Sequence, residues 1–80
     1  MLTQYITAAM RHASIEHLAD DDVYYGEIPA LPGVWATGPT PEACRATLRE
    51  VLEDWLLIGL RHNATIPSID GFDLAVHGVA

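Results

Sequence analysis

The 80-residue chain contains no lysine and only four arginines, set against eleven acidic residues, so its net charge is −7. Proteins that bind a phosphate backbone normally carry a basic patch that displaces condensed counterions, so direct nucleic-acid binding is not expected. An acidic surface suits basic partners instead. The single cysteine, Cys44, excludes an internal disulfide framework and fits a reducing compartment, so a cytoplasmic location is expected. The longest apolar run, Trp55 to Leu60, falls far short of the roughly 20 residues that cross a bilayer. The N-terminus lacks the basic, apolar and cleavable segments of a signal peptide. No glycine-rich phosphate loop precedes a helix, and His12, His17, His62 and His77 have no metal-ligand spacing. Neither cofactor nor metal is expected.

What is present reads as one α/β unit of mixed α+β type. Tyr5, Ile6, Ala9 and Met10 recur at helical spacing after Thr3, which can cap a short first helix, with Arg11 near its negative end. Ala13 to Leu18 reads as a first strand, Asp20-Asp21-Asp22 as a solvated turn, and Val23 to Ile28 as a second strand antiparallel to the first. Pro29 lacks a ladder donor and ends that strand, while Pro32-Gly33 suits the centre of a type II turn. Val34 to Thr37 then completes a three-stranded meander.

Thr40-Pro41-Glu42 combines a capping hydroxyl, a proline where no donor is missed and an acid at the positive helix end. The long helix is expected from Pro41 to about His62, roughly 33 Å at 1.5 Å per residue. Its apolar stripe is Cys44, Leu48, Val51, Leu52, Trp55 and Ile58. Leu56, Leu57 and Leu60 add apolar surface off that stripe, and are assigned to a homo-oligomer interface, dimer or tetramer. Asn63 is expected to stop the helix, Pro67 to Gly71 to form a loop, and Phe72 to Val76 to give a short fourth strand.

Candidate chemistry competes with plainer roles. The run Asp20-Asp21-Asp22 with Glu16 and Glu27 could hold a divalent ion, and Glu16, Asp20 or Glu27 could serve a magnesium-dependent nuclease, but the three adjacent aspartates of one turn cannot all point at one site. Cys44 lies near a helix start, where a thiol can be activated; it also lies on the apolar stripe, and no base or oxyanion donor accompanies it, so core packing is the better reading. Tyr24 and Tyr25 fall on opposite faces by strand alternation, so at least one is expected in the core, and the other, with Trp35, is a candidate for a partner-binding role.

The succession Tyr24, Tyr25, Glu27, Pro29, Leu31, Pro32, Gly33 and Gly38, followed by Thr40, Glu42, Ala43 and the apolar helix through Trp55-Leu56, resembles the HicB-like antitoxin family. The resemblance runs from about Leu2 to Pro67 and looks like the short stand-alone branch, with no separate DNA-binding domain expected over these 80 residues. It implies a partial RNase H-like fold without nuclease activity, and a small basic HicA-type messenger-RNA interferase as the partner to be masked. Toxin catalysis belongs to the toxin, so no catalytic residue is carried over. The expected contact set is Asp21, Asp22, Tyr24, Glu27 and Trp35, the acids steering association and the aromatics anchoring it. The competing readings are an orphan oligomeric scaffold or ligand-binding domain, and a residual metal-dependent nuclease.

Overall fold

The computed structural model describes residues 2–62 and 65–72. The apolar spacing of Tyr5, Ile6, Ala9 and Met10 becomes the buried side of helix α1 (Leu2–Arg11), which also buries Ala8. Because α1 already includes Leu2, Thr3 sits inside its first turn and not at its cap. Three antiparallel strands follow: β1 (Ser14–Leu18), β2 (Val23–Glu27) and β3 (Trp35–Gly38), in the spatial order β1-β2-β3. The register places Glu16 opposite Tyr25 and His17 opposite Tyr24 across β1 and β2. Across β2 and β3 it places Gly26 opposite Ala36 and Glu27 opposite Trp35.

Turn chemistry explains where each strand stops. The β1–β2 connection closes with Asp22 at φ 50°, a left-handed conformation that aspartate tolerates better than most residues. Between β2 and β3, Leu31 N donates to Ile28 O (2.9 Å), Val34 N to Leu31 O (3.0 Å) and Ile28 N to Val34 O (3.3 Å). Pro32 and Gly33 occupy the centre of the second of these turns, and Gly33 has the positive φ, 96°, that a type II turn needs. The pairing of Ile28 with Val34 hands a fixed register to the strands on either side.

Helix α2 (Pro41–Arg61) begins as the sequence predicts. Thr40 Oγ1 accepts from Ala43 N at 3.0 Å, and Pro41 takes the first helical position, where its missing donor costs nothing. That cap contributes about 1 kcal/mol. At the other end His62 is the C-cap, and Asn63 lies outside the described residues. Cys44, Leu48, Leu52 and Leu56, spaced by four, face the core and are essentially inaccessible. Each buried leucine contributes on the order of 2 kcal/mol. Val51 and Trp55 flank this stripe as partly buried neighbours, whereas Ile58 points outward. Leu56 therefore belongs to the stripe in place of Ile58, and is unavailable to an intermolecular interface.

The core joins α1 and α2 to Ile28, Leu31 and Val34 of the β2–β3 connection and to Ile66 and Ile69 beyond α2. Two polar clamps hold the helices and the later chain together. Arg45 Nη2 donates to Met10 O (3.2 Å) and Tyr5 Oη to Pro67 O (2.5 Å). Ile69 and Phe72 exchange both backbone hydrogen bonds around Asp70-Gly71, whose positive φ values of 51° and 83° make a tight turn. Phe72 thus belongs to an isolated bridge; the remainder of the expected fourth strand, 73–76, lies outside the described residues.

Candidate binding surface

Side chains alternate across a strand, so the register divides the meander into two faces. One face contains Ile15, Gly26, Ile28, Ala36 and Gly38, and α2 packs on it: a Cβ placed on Gly26 would lie 3.0 Å from Cys44 Sγ and 3.4 Å from Leu48 Cδ2. Cys44 Sγ is also 3.6 Å from the Ala36 carbonyl. Burial raises the thiol pKa above its ordinary value of 9.0, which keeps Cys44 neutral and suits a packing role. Since the raised value belongs to the folded state, the thiol's own contribution to stability is fully present below its ordinary 9.0 and is lost as pH climbs through the raised value. In the native protein Cys44 is expected to resist a disulfide-exchange reagent and to react promptly in denaturant; rapid native-state labelling would show that α2 opens from the sheet.

The opposite face carries Glu16, Tyr25 and Thr37 in one row and Ser14, Glu27 and Trp35 in the next. Among the described residues neither helix covers it, because α2 lies across the other face and α1 makes its helix contacts with α2 and not with the strands. Tyr25 and Trp35 stack diagonally, with ring centroids 6.1 Å apart and an interplanar angle of 23°. Trp35 remains 54% exposed. Exposure of a tryptophan at that level, steadied by a neighbouring ring, leaves apolar area and a π face available to a ligand or partner.

The basic residues are kept away from this face. All four arginines are on helices, Arg11 on α1 and Arg45, Arg49 and Arg61 on α2. The bare sheet face has Glu16 and Glu27 beside its aromatic pair, and the Asp20-Asp21-Asp22 turn lies at the end of β2 remote from Glu27. Such a surface can stack and pair with guanidinium groups, since aromatic faces and carboxylates both attract arginine. Among the described residues no three histidine, cysteine or carboxylate side chains come together as a metal cage.

The expected contact residues are only partly united. Glu27 and Trp35 are direct cross-strand neighbours. Tyr24 is on the face toward α2, stacked on His17 at a centroid distance of 4.8 Å. His17 Nε2 is in turn 3.0 Å from Asp22 Oδ1, so Asp22 and Tyr24 belong to a local His17 cluster. Tyr24 is thereby corrected to the helix side, and Tyr25 is its counterpart beside Trp35. Glu16, directly opposite Tyr25, joins the same face. Parity could have found Tyr25: once Ile28 pairs with Val34 across the turn, Trp35 must share a face with Glu27 and Tyr25, whereas Glu16 follows only from the β1–β2 register.

Of the expected oligomer residues, Leu57 is 60% exposed and Leu60 is half-buried, while Leu56 is in the core. Ile58, which the sequence pattern assigned to the core, is 59% exposed beside Leu57. Among the described residues no helix is long and apolar enough to cross a membrane.

Comparison with known proteins agrees with this architecture. The crystal structure of TTHA0281 from Thermus thermophilus superposes with a TM-score of 0.82 at 50% sequence identity, over 88% of this chain and 86% of that one. The UPF0150 protein Ta0767 of Thermoplasma acidophilum is 26% identical over 68 residues, which are 85% of this chain and 99% of the relative. The sequence profile of the UPF0150-like family matches residues 4–67, and the chain belongs to that family.

Proposed function

We propose that this protein is a non-catalytic, antitoxin-like binding module that masks a small basic RNA-cleaving protein by occlusion. The observation that carries the reading is the sheet face that α2 leaves uncovered, where Glu16 and Glu27 line one side of the Tyr25–Trp35 stack with no arginine among them. A cationic protein meets there an aromatic anchor and a favourable field, the first giving residence time and the second speeding encounter. Membership of the UPF0150-like family is compatible with this role, and the Tyr24 to Gly38 succession that resembles HicB-like antitoxins supports a HicA-type partner.

The decisive experiment is co-expression with a small basic open reading frame adjacent to the gene. A complex that co-purifies at low salt, dissociates as ionic strength rises and relieves growth arrest by that neighbour is expected. Absence of any complex at low salt overturns the proposal and favours an orphan scaffold without a toxin partner. Salt sensitivity is the informative part, because exposed charge attraction is screened over about 10 Å at 0.1 M salt.

A further inference from the structure

The outer side of α2 presents Glu50, Asp54, Leu57, Ile58 and Arg61, all exposed and recurring three or four residues apart on the side away from Cys44, Leu48, Leu52 and Leu56. Leu57 and Ile58 are about 60% exposed, an apolar ridge on a helix whose neighbouring outward positions are charged. Apolar grooves flank it, one walled by Leu2, Ile6 and Leu60, the other by Trp55, Gly59 and Ile66. A ridge between two grooves is the surface relief that helix pairing uses.

The order of charges along this side selects the occupant. Asp54 lies one turn before the ridge and Arg61 one turn after it. A two-fold interface is self-complementary: where residue i meets j, j meets i. If α2 runs antiparallel to a second α2 about an axis passing between Leu57 and Ile58, ridge meets ridge and Asp54 comes opposite Arg61 of the partner subunit, twice. A parallel pairing would instead place Asp54 against its own counterpart and Arg61 against its own, two repulsive like-charge pairs in place of two attractive ones. We infer that a second copy of this chain covers the outer side of α2 in an antiparallel two-fold dimer centred on Leu57 and Ile58.

The test is a symmetric charge exchange read by light scattering or sedimentation, with circular dichroism as the check on folding. Asp54 and Arg61 are seven residues apart, too far for an intrahelical pair, so their coupling reports on contact between subunits. Asp54→Arg alone brings like charges together across the axis, as does Arg61→Glu alone, and each is expected to halve the mass at concentrations where the parent is dimeric. The double variant Asp54→Arg/Arg61→Glu restores opposite charges and is expected to recover the dimer. Leu57→Asp should dissociate the parent and the double variant alike. A monomeric parent would assign the ridge to a different protein and overturn the inference, and so would a dimer indifferent to all four changes. Dissociation by both single changes without recovery in the double variant would equally reject the antiparallel axis.

Discussion

Gly38→Ala is expected to destabilise the fold by about 3 kcal/mol or more, the upper range for overpacking a filled interior. Gly38 is the last residue of β3, and α2 begins three residues later and turns back over it. A Cβ at this position would stand 2.6 Å from Cys44 N, 2.8 Å from Cys44 Cα and 3.0 Å from Ala43 C. These are backbone atoms in the first turn of a helix, so no side-chain rotation relieves the clash. The turn must lift, and Cys44 and Leu48 lift with it. A domain of 80 residues has on the order of 8 kcal/mol of total stability, so a substantial fraction would go.

Gly26→Ala provides the control. Its nearest obstacle is a sulfur at 3.0 Å and a leucine methyl at 3.4 Å, both able to shift by a few tenths of an ångström. Replacing glycine also reduces the freedom of the unfolded chain, a gain of roughly 0.4–1 kcal/mol that offsets part of the crowding. Urea unfolding should rank parent, Gly26→Ala and Gly38→Ala in descending stability. Equal midpoints for Gly38→Ala and the parent would show that the start of α2 is freer to move than its contacts indicate.

Trp35→Ala is expected to weaken the proposed complex with a basic partner by about 30- to 1,000-fold, the range of 2–4 kcal/mol for an aromatic anchor at an interface centre. The same change should leave folding almost untouched, since half of the ring is already in water. Tyr25→Ala removes the ring stacked on Trp35 and should weaken binding comparably. Tyr24→Ala should not, because Tyr24 is on the face toward α2. Glu27→Arg reverses the charge directly opposite Trp35 and should act chiefly through slower association and a shallower salt dependence. Titration calorimetry of the purified pair would read all four. Affinity lost with Tyr24→Ala but retained with Trp35→Ala would move the binding surface to the other side of the sheet.

Most of the backbone was legible because local chemistry and tertiary structure agree. Thr40-Pro41 marks the start of α2, Pro32-Gly33 the turn, and Tyr5, Ile6, Ala9 and Met10 the buried side of α1. Assignment of faces was less secure wherever two apolar neighbours compete for one helical position. Leu56 and Ile58 are two residues apart on α2, and only the path of the helix over the sheet decides that Leu56 continues the line of Cys44, Leu48 and Leu52. Tyr24 and Tyr25 present the same ambiguity in a strand, where both are half-buried and a one-residue choice exchanges the helix-facing side of the sheet for the opposite one. Gly38 belongs to the succession that carries the family resemblance, but no local pattern explains its presence, because its importance arises from a helix backbone that returns to touch it.

Because α2 covers one face of the meander and leaves the other bare, association through the outer side of α2 puts the helices innermost and the two sheets outermost. The dimer is then bivalent, with two aromatic, acidic surfaces directed away from each other. Each can take a partner without hindering its twin, giving a two-to-two assembly. Against a partner that is itself paired, such a dimer gains avidity only if both contacts can be spanned at once. Otherwise it links partners into chains, and the proportion of the two components governs the size of the particle.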